Sequence, residues 1–303
     1  MDIGLIEDLA ALVRHQTFSR AADARHVTQP AFSRRIQMLE RWVGVPLVRR
    51  LPRRAVLTPA GERFHAMVEA MPQALRLARS EALEAAGRAE RALTIAATHA
   101  LSFTFFPEWA RSNIDAGRLG ALSLLSDSMD ACEQMMLSGE ADFLLCHRHA
   151  TDGGLLPATR FATRQVGSDV LAPFCAPDGS GRPRWSVAPA SPGEPAPFLS
   201  YAPESGLGRI LAADWRACSA APRVTKVLEA RLATALLRLA EDGRGIAWLP
   251  LSLVSDSLRG RRLVSASGVD RWTIPLQIVL RRPVGPLGAA AEALWRGISA
   301  DPA

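Results

Sequence analysis

The side chains best equipped for chemistry near the start of the chain are hydroxyl, amide and guanidinium donors. Thr28, Gln29, Pro30, Ser33, Arg34 and Arg35 follow one another closely, and Arg49, Arg50, Arg53 and Arg54 crowd a second short stretch. Guanidinium forks donate in pairs to phosphate oxygens and to the outer edge of guanine, and hydroxyls and amides add single bonds, so the set suits duplex DNA. The charge is placed to match. Residues 1–65 hold eleven arginines against six acids, whereas the rest of the chain contributes only one of the net six positive charges. A basic end on a near-neutral body implies one part that meets a polyanion and another that does not.

A second group could bind a small ligand. Thr98, His99, Ala100, Leu101 and Ser102 form one run, Cys146-His147-Arg148-His149 another, and Ser200-Tyr201 and Thr225-Lys226 two more. Imidazoles beside a thiol could also hold zinc or copper, but no HxxxH or CxxC spacing accompanies them, so no metal is expected. Sulfur is the third resource. Met129, Met135, Met136, Cys132 and Cys146 are candidate oxidant targets, with core packing as the competing role. All seven methionines lie at or before Met136. The four cysteines, Cys132, Cys146, Cys175 and Cys218, stand far apart, which argues for buried thiols rather than a disulfide framework.

These groups need elements to hold them. Leu5, Leu9, Leu12 and Val13 recur at helical spacing and predict a helix over Ile3 to His15. Ser19 is the expected cap of a short second helix, Arg20 to Arg25. Thr28 caps a third, with Pro30 in its first turn, Phe32, Ile36 and Leu39 on its inner face and the polar set outside. Two short helices and a tight turn imply a helix-turn-helix; a three-helix bundle with a solvated basic face stays open on this evidence alone. Val43 to Val48 ends the third helix, and the four arginines at 49, 50, 53 and 54 fall at a hairpin tip before Ala55-Val56-Leu57 returns, as in a basic wing.

Thr58-Pro59 opens a long helix from Ala60 to about Gly87, whose Phe64, Val68, Met71, Leu75, Ala78, Ala82 and Ala85 form a heptad seam suited to pairing with a second copy. Pro72 should kink it. From Ala92 the reading alternates: strand Leu93–Ala97, helix Leu101–Ile114, strand Ala121–Leu125, helix Asp130–Leu137, strand Asp142–Cys146. That alternation predicts a parallel α/β sheet with helices on both faces. Ligands in such sheets gather beyond the C-terminal ends of the strands, which is why the second group is placed in one crevice. Pro177 to Pro197 reads as a long surface loop.

The run from Phe18 to Gly61 closely resembles the DNA-binding segment of LysR-type regulators: the alanine pair, Gln29-Pro30-Ala31-Phe32-Ser33-Arg34-Arg35-Ile36, Leu39-Glu40, Gly44-Val45-x-Leu47 and Leu57-Thr58-x-x-Gly61. Gly243-Arg244-Gly245-Ile246-Ala247-Trp248-Leu249-Pro250 resembles a later segment of the same family, and with Ile95 to Ser102 it looks like the hypochlorite-responsive subgroup. The resemblance implies an α/β fold with an N-terminal winged helix-turn-helix (1–58), a linker and dimerisation helix (59–91) and a periplasmic-binding-protein-like effector domain of two α/β subdomains (92–163 with 267–303, and 164–266). It implies double-stranded DNA as partner through the residues named above, self-association as a dimer through 60–87 or as a tetramer, and a small effector or oxidant such as hypochlorite. A regulator answering a small organic anion, or a solute-binding-type protein with no regulatory role, are the alternatives. No nucleophile elbow, Walker loop or dinucleotide fingerprint is present, so neither an enzyme nor a cofactor is expected. The acidic, unsegmented start and the lack of any long apolar run imply a soluble cytoplasmic protein with no membrane partner.

Overall fold

The computed structural model describes residues 2–52, 54–68, 71, 74–75, 78–79, 82, 86, 92–114, 121–149, 156–187, 194–217, 222–267 and 272–298. The chain divides into two compact units, Met1–Ala89 and Glu90–Ala303.

In the first unit, α1 (Ile3–His15), α2 (Phe18–Ala24) and α3 (Gln29–Val43) bury Leu5, Leu9, Leu12, Ala21, Ala22, Phe32, Ile36 and Leu39 against one another. Alanine at 21 and 22 lets α2 approach closely, and the Phe18 and Phe32 rings meet edge to face at 6.0 Å. The cap of α2 is Thr17, whose Oγ1 accepts from Arg20 N at 3.3 Å, in place of the expected Ser19, which lies inside the helix. Thr28 caps α3 by accepting from Ala31 N, and Gly44 closes it at φ +87°, a conformation that glycine adopts without strain.

The antiparallel hairpin β1 (Val48–Leu51) and β2 (Arg54–Leu57) follows. Glu40 fastens it to α3, its Oε1 accepting from Leu47 N and Val48 N at 2.9 and 3.0 Å. Ala55 N donates to Gln16 O at the end of α1. The described part of the linker helix is α4 (Pro59–Val68), begun by Thr58, whose Oγ1 accepts from Gly61 N and donates to Pro46 O. Met71 and Leu75 of the seam are half exposed or more in the single chain. Pro72, Ala85 and Gly87, with the expected kink and helix end, lie outside the described residues.

In the second unit the elements are β3 (Leu93–Thr98), α5 (His99–Thr104), α6 (Phe106–Asn113), β4 (Leu122–Asp127), α7 (Met129–Ser138), β5 (Phe143–Arg148), β6 (Phe161–Cys175), β7 (Ala196–Tyr201), α8 (Gly206–Ala217), β8 (Val224–Ala230), α9 (Ala233–Glu241), β9 (Ala247–Pro250), α10 (Leu251–Arg259), β10 (Val264–Ser265), β11 (Ile274–Pro283) and α11 (Ala289–Gly297). The large sheet runs β10-β6-β11-β5-β3-β4, with β9 also on β6, and β7 and β8 pair separately. β3, β4 and β5 pair in parallel, as the alternation from Ala92 predicts, and β7 pairs in parallel with β8; β11 runs antiparallel to both β5 and β6, so the large sheet as a whole is mixed. Apolar runs report burial of a strand, not its direction.

The single helix expected over 101–114 is two, broken at Phe105, because Pro107 in the first turn of α6 has no N–H to give the carbonyl of Phe103 and its ring crowds that oxygen. Leu93, Ile95, Leu101, Trp109, Phe143, Ile278 and Leu294 fill one core. A second core holds Trp248 and Trp272, each almost inaccessible, with Trp248 Nε1 donating to Trp272 O at 3.0 Å and Tyr201 OH to Trp248 O at 2.8 Å. Gly245 explains its glycine-rich segment, since a Cβ there would stand 2.6 Å from Pro197 O. Part of the expected surface loop is ordered against this core: Val187 is buried, and Asp178 Oδ1 accepts from Ser180 N and Arg182 N in a tight turn.

Candidate functional site

The first unit presents a basic surface built on α3 and the hairpin. Gln29, Pro30 and Arg34 are exposed, Thr28 is spent partly on its cap, and Ser33 is half-buried. Arg49 and Arg54 are exposed on the hairpin, and Arg53 lies outside the described residues. Two of the arginines are tethered. Arg50 donates to Ser33 Oγ and lies over the Phe18 ring at 4.2 Å, which joins the wing to the outer face of α3. Arg35 Nε stands 2.6 Å from Asp8 Oδ2.

Asp8 is the residue missed in the sequence. Its carboxylate is fully buried and also takes Arg25 Nε at 2.9 Å, while Arg25 reaches Glu7 as well, so one acid ties α1, α2 and α3 together. The signal was available: an acid on the same helical face as Leu5 and Leu12 must find a cation when that face is buried.

In the second unit, the starts of four helices converge on a crevice. Thr98, His99 and Ala100 come from the β3–α5 turn, Asp127, Ser128 and Met129 from the β4–α7 turn, Ser205, Gly206 and Leu207 from α8, and Arg231 and Ala233 from α9. His147 of β5 and Tyr201 of β7 complete the wall. The enclosed part of the crevice measures about 40 Å³, room for a group of a few heavy atoms. Thr98 Oγ1 is buried there without a hydrogen-bond partner. Oriented helix starts favour an anion, and Arg231, paired with Glu204 at 2.7 Å, adds a cation.

Behind the wall, His147 Nε2 lies 3.4 Å from Asp169 Oδ2, and the same carboxylate accepts from Ser252 Oγ and from Val170 N. Burial alone would raise the Asp169 carboxyl, but the hydrogen bonds from His147 and Ser252 outweigh it and hold the group below the ordinary carboxylate value. Glu292 is lowered too, first by Arg282, which grips both its oxygens at 2.8 and 2.7 Å. Both groups therefore favour the charged, folded form. The stability they contribute is present above the unfolded carboxylate value, about 4, and is lost as pH falls through the lowered ones. The thermal midpoint of this unit should stay level from neutral pH to about pH 5 and fall below about pH 4, more gently in Glu292→Gln, as scanning calorimetry would record.

Not every expected residue reaches the crevice. Leu101 is wholly inside the core, and Ser102 sits one turn back, hydrogen-bonded to His99 O and Ser126 Oγ at 2.9 and 2.7 Å; Ser126 in turn meets His99 Nδ1 at 3.1 Å. Cys146 and His147 lie within β5, not after it, and His149 opens onto a different groove with Arg148, Gln165 and Gln277. Ser200 and Lys226 line a groove along α8, and Thr225 pairs with Pro197 at the opposite end of β8 from Tyr201 and Ala230. The strand runs on to Ala230, so that Arg231, just past its C-terminal end, takes the place at the crevice. Cys132 is buried, with its thiol pushed up to about 12 by desolvation, and Cys146 and Met136 are buried in the same cluster with Met135 packed against it. Met129 belongs to that cluster and also borders the crevice. Among the described residues no group of three or more His, Cys, Asp or Glu could hold a metal ion, and no helix is long and apolar enough to cross a membrane.

Known proteins resemble the whole of this arrangement. Residues 3–62 match the bacterial regulatory helix-turn-helix protein, lysR family, and residues 86–300 the LysR substrate binding domain. The HTH-type transcriptional regulator YjiE of Escherichia coli K12 is 29% identical over 299 residues, 95% of this chain and 91% of that protein. The full-length structure of HypT from Salmonella typhimurium, a hypochlorite-specific LysR-type transcriptional regulator, is 28% identical with a TM-score of 0.58, covering 98% of this chain and 96% of that one. Vibrio fischeri DarR in complex with DNA is 26% identical with a TM-score of 0.56 over 98% and 97%. The chain belongs to the LysR family, as a DNA-binding transcription regulator with an effector-binding domain.

Proposed function

We propose that this regulator responds to a small oxidant, hypochlorite foremost, admitted to the crevice between Thr98, His99, Ser128, Met129, His147 and Arg231. The observation that carries the reading is the size of the cavity, about 40 Å³, together with Met129, a thioether-bearing residue, among those that line it. Oxygen transfer from hypochlorous acid to that sulfur gives the sulfoxide and hydrogen chloride, and turns an apolar contact into a polar one. The Cys132 thiol is less suited, because a buried thiol held protonated is a poor nucleophile. The likeness to HypT supports the same class of effector. The converging helix starts and Arg231 favour a second reading, a small organic anion bound without chemistry.

On the DNA side, Thr28, Gln29, Pro30, Ser33, Arg34 and the wing arginines Arg49, Arg50, Arg53 and Arg54 meet the duplex, with Arg35 fixing α3 from behind. The chain acts as a dimer through residues 60–87, and as a tetramer through further contacts; the exposed Met71 and Leu75 are the apolar positions that pairing would cover. Its parts are 1–58, 59–91 and 92–303, the last divided into 92–163 with 267–303 and 164–266.

Binding of the full chain to its own upstream DNA, measured by anisotropy while sodium hypochlorite, hydrogen peroxide or small carboxylates are titrated in, tests the reading. Hypochlorite should shift DNA affinity at the lowest concentration, and Thr98→Val should move the half-maximal response by about tenfold, the value of one lost hydrogen bond. A response to carboxylates alone would replace the oxidant by the organic anion. A response indifferent to Thr98→Val would take the ligand out of this crevice.

A further inference from the structure

Helix α10 starts after Pro250 with no side-chain cap from its own sequence. Asp169, from the middle of β6, takes that place: its Oδ1 accepts from Ser252 N at 3.2 Å and its Oδ2 from Ser252 Oγ at 2.5 Å. A carboxylate at a helix start satisfies otherwise orphaned donors and meets the positive end of the helix dipole. The same Oδ2 faces His147 Nε2 at the longer distance of 3.4 Å. Asp169 and His147 are both buried, and His147 lines the crevice. One oxygen therefore serves two donors, and a tighter hold by one weakens the other.

The backbone around this carboxylate is irregular. The β6–β11 register shifts between Ile278 and Val279, so that Val166 has no partner of its own, three residues before Asp169. Gly167 lies so close to the Phe105 ring that a Cβ would stand 2.7 Å from it. Ser252 Oγ also reaches Thr104 Oγ1 at 3.4 Å, at the end of the helix whose first residues line the crevice. A shared carboxylate and a bulged strand thus meet behind the ligand-facing histidine.

We propose that Asp169 is a positioning residue that reads the state of the crevice: a ligand that engages His147 alters the imidazole's claim on the shared oxygen, and with it the capping of α10. The inference rests on the crevice being the effector site, yet the coupling itself exists without any effector. Hydrogen exchange of the full-length protein, resolved at amides 252–256, therefore tests it directly. His147→Leu removes the competing donor and should slow exchange there at least threefold, while His147→Gln, which restores a donor, should return it to the wild-type rate. Asp169→Asn should speed it about tenfold, and Ser252→Ala serves the same purpose if that variant does not fold. Amides of α9 should be unmoved throughout. Wild-type exchange at 252–256 in His147→Leu would overturn the proposal. Sodium hypochlorite added to the wild type should move the same amides; if it does not while His147→Leu does, the coupling stands and the oxidant reading falls.

Discussion

Replacing Gly61 by alanine should melt the N-terminal unit at temperatures where the rest of the chain is still folded. A Cβ at 61 would stand 2.0 Å from Leu47 O and 2.9 Å from its carbonyl carbon, both backbone atoms that no rotamer change can move. Leu47 has nowhere to go. Its side chain is wholly buried, its N–H is held by Glu40 and its carbonyl accepts from Thr58 N at 2.9 Å. The cost should reach the top of the overpacking range, about 3 kcal/mol, or roughly 12–24 °C in the midpoint of a unit of this size. Gly285, with nothing near its own added Cβ, provides the control and should tolerate alanine within about 0.5 kcal/mol. Calorimetry on both variants decides it; a Gly61→Ala midpoint equal to wild type would mean that the wing and the linker helix part freely.

The second large effect is on affinity. Arg34→Ala should weaken binding to the specific operator by about 10- to 100-fold, the worth of one good base or phosphate contact, with the melting curve unchanged. The distinction between neighbours is structural. Arg35 is committed to the buried Asp8, and Arg50 to Ser33 and the Phe18 ring, whereas Arg34 stands exposed on the outer face of α3. Arg35→Ala should accordingly lower stability first and affinity only through it. Unchanged binding by Arg34→Ala at matched salt would remove that residue from the contact surface.

Much of the fold is legible because local chemistry and tertiary need coincide. Thr28, Pro30, Gly44 and the 32/36/39 stripe each report one helix feature that the structure realises. Gly61 and Gly245 are legible only as motif letters until the carbonyls of Leu47 and Pro197 appear beside them. What escapes is whatever depends on distant chain. Asp169 caps a helix 83 residues away, and Asp8 finds Arg25 and Arg35 on other helices, so neither carries a local mark of its partner. The crevice follows the same pattern. Thr98 to Ala100 and His147 were within reach of the strand-end rule, but Arg231 depended on knowing where β8 stops, and Asp127, Ser128 and Met129 on a strand extending two residues beyond its apolar run.

Paired copies of the basic N-terminal module are proposed to dock on duplex DNA. The direct measurement is the affinity of the full-length protein for its upstream DNA between about 50 and 200 mM salt, with the mass of the free protein determined by sedimentation. Six to ten phosphate contacts across a dimer should cost about 10³–10⁵ in affinity over that range, and the free protein should sediment at twice the chain mass or more. A monomer that ignores DNA at the lowest salt would rule out docking in pairs.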